Sequence, residues 1–187
     1  MRLEKIATHT VDLDLFKGGI VIDAGCRDFD FANAIAPMVE RVYAFDPAPD
    51  VVNASDCRNI EFFNRAFVGI GHEGSRTLVV AGNGSRLTPD GEHSTWGHSF
   101  LTFPFTHRSD CSRGFDCVKL DIEGSEYDVL LTWPGPVASQ ITVEYHEHTQ
   151  QGRAKHGENV YERIAQRLGQ WYTLVQDDPM DTLWILK

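Results

Sequence analysis

Three short, largely apolar runs in this chain each end in an aspartate: Gly19-Ile-Val-Ile-Asp23, Arg41-Val-Tyr-Ala-Phe-Asp46 and Cys117-Val-Lys-Leu-Asp121. Runs of this length suit strands buried on both faces, as in sheets covered by helices on either side. A buried strand closed by a carboxylate delivers an acid to the carboxyl edge of the sheet, where open α/β folds bind ligands. The third run carries the point furthest. In Phe115-Asp-Cys-Val-Lys-Leu-Asp-Ile-Glu-Gly-Ser-Glu126, Asp121, Glu123 and Glu126 surround one glycine, Gly124, which permits a sharp turn or a close backbone approach. An isolated acid is ordinarily solvated surface. These acids follow directly on Val118 and Leu120.

The remaining pattern alternates strands with helices. Phe31, Ala34, Ile35 and Met38 recur at helical spacing, with Pro37 tightening or ending the helix. A short helix is predicted over Asp50 to Asp56, and a third strand over Ile60–Arg65. Val68-Gly-Ile70 and Thr77–Val80, joined by Gly71–Gly74, read as a β-hairpin insert. Thr88 to Arg113 reads as a long loop carrying Trp96, Phe100, Phe103 and Phe105, either a substrate wall or a hydrophobic flap. A helix at Tyr127–Leu131, a strand at Gln140–Glu144 and a helix from Glu158 to Leu168 ending at Gly169 follow. Trp171–Val175 and Thr182–Leu186 close the chain as two strands. The prediction is one α/β domain over residues 1–187: a doubly wound, mostly parallel sheet with an antiparallel C-terminal strand and the hairpin insert.

Composition narrows the function classes. A formal net charge of -10 argues against a nucleic-acid partner, because phosphate contacts need clustered Lys and Arg. No apolar stretch is long enough to span a bilayer, and no charged start precedes an apolar run as in a signal peptide, so a cytoplasmic location is expected. Cys26, Cys57, Cys111 and Cys117 form no Cys-x-x-Cys pair and read as reduced thiols.

The first strand leads into Asp23-Ala-Gly-Cys-Arg-Asp-Phe-Asp-Phe31, a strand, glycine turn and helix start of the kind that admits a nucleotide-like ligand. Gly25 stands without the further glycines of a dinucleotide fingerprint. Asp23 and Asp28 make the mouth acidic, which suits a cationic ligand better than a diphosphate. Asp46 stands where an acid reaches ribose hydroxyls, and a carboxylate can accept from both members of a diol; the alternative is a turn aspartate before Pro47. S-adenosylmethionine (SAM) carries a sulfonium, an amino acid and a ribose, and no phosphate.

Val21-Ile-Asp-Ala-Gly25, Val42-Tyr-Ala-Phe-Asp-Pro-Ala-Pro49 and Val118-Lys-Leu-Asp-Ile-Glu-Gly-Ser-Glu126 together resemble the FkbM-type branch of class I SAM-dependent methyltransferases, over roughly residues 18 to 146. The resemblance implies a Rossmann-like methyltransferase sheet with SAM as cofactor. It implies that Asp23, Gly25 and Cys26 line the methionine portion, that Asp46 and Pro47 hold the ribose, and that Arg65 and Ala66, with Asn64, lie near the adenine. Asp121 borders the same cofactor. Two residues depart from the family: Phe29 stands for a second glycine, and Asp46 for a longer Glu.

Methyl transfer to a hydroxyl needs alignment and removal of a proton. Asp121 and Glu123 after one strand, and Glu144 and His146 after the next, are predicted to meet at one edge. His146 is the candidate general base, with Asp121 or Glu144 orienting it. Glu144, His146 and His148 with Asp121 form an alternative divalent-metal set; acids and histidines also cluster without metal, and no metal is assigned. Lys119 is read as pairing with a core carboxylate. The expected activity is O-methylation of a small molecule, a sugar or another hydroxylated metabolite, with about eighteen residues before the first strand and no extensive N-terminal lid. A second copy or a larger partner could complete the site. The alternative is a catalytically inactive binding or assembly module on the same fold, for which Phe29 is the best support.

Overall fold

The computed structural model describes residues 1–53, 55–69, 75–79, 86–87, 97–104, 114–133, 135–146, 157, 159–178 and 180–187; for 75–79, 86–87 and 97–104 the description is of the backbone. An amino-terminal hairpin, β1 (Leu3–Ile6) and β2 (His9–Asp12), opens the chain. It is followed by β3 (Ile20–Ala24), α1 (Asp30–Ile35), β4 (Arg41–Phe45) and β5 (Ile60–Phe63). Next come β6 (Ala66–Val68), β7 (Ser75–Val79), β8 (Arg86–Leu87) and β9 (Gly97–Pro104). The last part holds β10 (Phe115–Leu120), α2 (Glu126–Leu131), β11 (Ala138–Val143), α3 (Val160–Leu168), β12 (Tyr172–Asp178) and β13 (Asp181–Leu186).

The acid-terminated runs form the centre of a seven-stranded, mostly parallel sheet in the order β12-β13-β11-β10-β3-β4-β5. β5, β4, β3, β10 and β11 are parallel neighbours, while β13 runs antiparallel to both β11 and β12. Strand residues alternate between two buried clusters, because successive side chains leave opposite faces. Val21 and Cys117 pack with α1 residues Phe31, Ala32 and Ile35 on one face; Ile22, Val118 and Leu120 pack with α2 and α3 on the other. The mixed α/β architecture and the reversed C-terminal strand follow the sequence expectation. Among the described residues no helix is long and apolar enough to cross a membrane. Cys26, Cys57 and Cys117 are free thiols, and Cys111 lies outside the described residues.

Several local expectations are corrected. The described part of 50–56 is not helical. The Ser55 N–H donates to Asn53 Oδ1 (3.1 Å) and the Cys57 N–H to Ser55 Oγ (3.0 Å), so short polar side chains take the donors a helix would use. Met38 lies in a 3-10 turn with Pro37, and Ala34 faces solvent while Ala32 is buried. β6 does not pair with β7: it runs parallel to β9, and a second sheet has the order β6-β9-β7-β8. Gly97–Pro104, read as loop, is therefore a strand, and only non-local pairing fixes it. Trp96, Phe105 and the Gly71–Gly74 connection lie outside the described residues.

The β1–β2 hairpin has no counterpart in the sequence reading. It lies against β11 and β13, held by polar contacts from far along the chain. The Asp12 N–H donates to Gln140 Oε1 (2.8 Å) while Gln140 Nε2 donates back to the Asp12 carbonyl (3.1 Å). The Thr10 N–H and hydroxyl each donate to Asp181 at 2.6 Å. Satisfying these groups reciprocally is what allows Gln140 and Asp12 to be buried.

Candidate functional site

Parallel register places Lys119 of β10 directly beside Asp23 of β3, both on the α1 face and both buried. Lys119 Nζ lies 3.0 Å from Asp23 Oδ1 and donates to the Gly25 carbonyl at 2.6 Å. Burial works against the ammonium charge, but Asp23 and Asp121 outweigh it and hold the Lys119 pKa above its ordinary value. The expected pairing of Lys119 with a core carboxylate is therefore present. It also anchors the turn that follows β3.

That turn is closed against the protein itself. A Cβ on Gly25, at φ 83°, would lie 1.7 Å from the Asp121 carbonyl oxygen, so no other residue fits there. The N–H groups of Gly25 and Cys26 both donate to the Phe45 carbonyl, at 2.8 and 3.1 Å. Phe29 follows at φ 60°, a left-handed conformation in which a non-glycine residue is strained, with its ring buried edge-on to Phe62 at 5.3 Å. The backbone thus keeps a glycine-like bend where the resemblance leads one to expect glycine, while the side chain has been drawn into the core.

Asp46, at the end of β4, is buried, and both its oxygens accept backbone N–H groups: Oδ1 from Ala48 (2.9 Å) and Oδ2 from Arg27 (3.2 Å). Burial raises its pKa, and the two backbone donors oppose that rise. Asn64, just after β5, clamps the same turn by donating to the carbonyls of Asp46 (2.9 Å) and Ala48 (2.8 Å). Arg65 is exposed beyond it and Ala66 is buried in β6.

The Asp-Ile-Glu-Gly-Ser-Glu segment folds around its last acid. Glu126 is fully buried; Oε1 accepts the Ile122 N–H (2.7 Å) and Oε2 the Gly124 N–H (2.9 Å). This double acceptance holds Glu123 and Gly124 in left-handed geometry, φ 53° and 97°, and turns the Glu123 side chain toward the next strand. Glu126 Oε1 also accepts from His146 Nδ1 at 2.9 Å. Glu126 is therefore the organiser of the rim and does not itself reach the mouth. The sequence signal for this role is an acid two residues after a turn glycine, at a helix start.

His146 sits at the centre of the rim. Its Nε2 lies 3.6 Å from Asp121 Oδ1, 3.6 Å from Glu123 Oε2 and 3.8 Å from Glu144 Oε1. Burial alone would lower its pKa, but the Glu126 hydrogen bond and the surrounding carboxylates raise it to about 9. A raised pKa favours the imidazolium, which is not the form in which His146 would serve as the expected general base. Asp121 is held down to about 2: burial pushes upward, and His9, Lys119 and His146 prevail against it. Glu123 and Glu144 are raised above the ordinary carboxylate range, first by burial and also by neighbouring acids. The direction of both shifts favours the protonated forms.

A cleft of about 140 Å³ opens beside this rim, walled by the Gly25 turn, Lys119, Asp121 and the Ala7–His9 turn of the hairpin. Of the predicted cofactor residues, Asp23, Gly25, Cys26 and Asp121 line it; Asp46, Pro47, Arg65 and Ala66 lie outside its lining. Asp121, Glu123, Glu144 and His146, the predicted catalytic group, do converge. His148 lies outside the described residues. His9 joins the site unforeseen: it is buried, edge-on to Phe31 at 5.9 Å, with Nδ1 bonded to Thr142 Oγ1 at 3.2 Å and Nε2 3.7 Å from Asp121 Oδ2. No local sequence signal marks it, because its neighbours come from other strands.

No family model matches the chain, and no curated protein matches it. A solved structure described as a putative hemolysin from Streptococcus thermophilus is 12% identical, with 89% of this chain and 57% of that chain covered and a TM-score of 0.41. The chain spans little more than half of that protein, and a likeness of this degree carries no argument about fold or function.

Proposed function

We propose that this chain is a SAM-dependent methyltransferase of the FkbM type, acting on a hydroxyl oxygen of a small molecule. The observation that carries the reading is the seven-strand order with its reversed C-terminal strand, which sets the Gly25 turn of β3 and the acidic rim of β10 on adjacent central strands. Such a strand-end position is where open α/β sheets take their ligands. The donor chemistry fits the cofactor. Asp28, Asp30 and Asp121 offer a cationic ligand an acidic wall, and each Asp46 oxygen keeps an acceptor site beyond its backbone N–H. The volume fits only part of it, since about 140 Å³ falls short of the ~300 Å³ at which small-molecule pockets begin.

SAM supplies a methyl group on a sulfonium, ready for in-line displacement. With the cofactor bound, the rim would hold the acceptor hydroxyl, and Glu123 or Glu144 would take its proton. The His146 imidazolium, fixed by Glu126, stabilises the carboxylates around it and keeps Asp121 ionised. A second reading, an inactive binding module, is favoured by the use of both Asp46 oxygens in closing a turn. Calorimetric titration with SAM and S-adenosylhomocysteine separates the two. Micromolar binding supports the enzyme, and no binding of either by folded protein refutes it.

A further inference from the structure

We infer that His9, Asp121 and Glu144 form a binding site for a divalent first-row transition-metal ion. One ligand atom from each lies within 4.8 Å of the other two. The carrying observation is His9, whose side chain is 1% exposed and whose Nε2 has no hydrogen-bond partner. Nδ1 is bonded to Thr142 Oγ1 at 3.2 Å and Nε2 faces Asp121 Oδ2 at 3.7 Å; in the tautomer with its proton on Nδ1, Nε2 offers a lone pair to an ion at that place. Lys119 Nζ lies 3.5 Å from the same Asp121 oxygen, and the Glu144 carboxylate completes the set of three donors. A proton shared between His9 Nε2 and Asp121 Oδ2 would draw the atoms to about 2.8 Å. The observed 3.7 Å suits a larger ion, since ligand bonds of about 2.1 Å hold two donors from about 3 Å apart at a right angle to about 4 Å in line.

The surroundings agree. Five carboxyl side chains, Asp23, Asp121, Glu123, Glu126 and Glu144, gather around Lys119 and His146 beside the three donors. Thr142 holds the second ring nitrogen of His9, the outer contact by which metal-binding imidazoles are oriented. One imidazole with two carboxylates suits manganese, iron or zinc rather than calcium or magnesium, which take oxygen alone.

The test does not depend on the methyl-transfer reading, because it uses the metal alone. The full chain is freed of ions with EDTA and titrated with Mn²⁺, free Mn²⁺ being followed by electron paramagnetic resonance. One ion per chain is expected, and His9→Gln and Glu144→Gln should each weaken binding tenfold or more. Thermal melts establish which variants fold; if the buried His9→Gln does not, the more accessible Glu144→Gln decides. Absence of binding by folded wild-type protein, or unchanged affinity in the folded variants, overturns the inference.

Discussion

Replacing Phe29 tests the Gly25 turn most directly, because two opposing effects meet at one residue. Its φ of 60° belongs to the left-handed region, which costs a residue with a Cβ about 1–2 kcal/mol. Its ring is buried against Phe62, and removing a buried phenylalanine costs about 3–5 kcal/mol. Phe29→Ala loses the ring and keeps the strain. Phe29→Gly loses the ring and sheds the strain, so it should be destabilised by about 2–3 kcal/mol, roughly 1 kcal/mol less than the alanine variant. Ordinarily alanine is the more stable of the two at a structured position, by about 0.5–1 kcal/mol. Urea denaturation of the three proteins, with equal slopes checked, gives the order directly. Wild type above glycine above alanine is the expected result. Alanine equal to or above glycine would show that the backbone at residue 29 is not left-handed, and the account of this turn would fall.

Two further outcomes follow from the site. The raised His146 pKa, about 9 against an ordinary 6.5, means that ion-free protein gains stability from the imidazolium that is complete below about pH 6.5 and is lost as pH rises through 9. A shift of that size is worth about 3 kcal/mol; melting temperature should fall across this window in wild type and much less in His146→Gln, and parallel curves would refute the assignment. Gly25→Ala drives a Cβ to 1.7 Å from the Asp121 carbonyl oxygen, so β3 and β10 must part at the rim. A loss of several kcal/mol is expected in denaturant titration, and a near-neutral result would mean that the two turns are not packed as described.

The strands were legible because their signal is local. Val21 and Ile22 point to opposite clusters, and an unbroken apolar run is what a strand covered on both faces requires. The same logic located Asp23, Asp46 and Asp121 at the carboxyl edge. It went astray where a segment's conformation depends on distant partners. Gly97–Pro104 became a strand through pairing with β7 and β6, and in the described part of 50–56 the Asn53 and Ser55 side chains take backbone donors that a helix would use.

What the sequence by itself determined is therefore the central parallel sheet, its reversed last strand and the meeting of Asp121, Glu123, Glu144 and His146 at one edge. How each of those side chains is paired was decided only by tertiary structure. Against the effect of burial, Glu126, twenty positions away and bonded to Nδ1, raises the His146 pKa. Asp46 closes a turn because the Arg27 N–H reaches it. His9 enters the site through Thr142, 133 residues further along the chain. Apolar periodicity is a property of neighbours in sequence and can be read there. Protonation and hydrogen-bond partnership are properties of neighbours in space, and they arise only when the sheet closes.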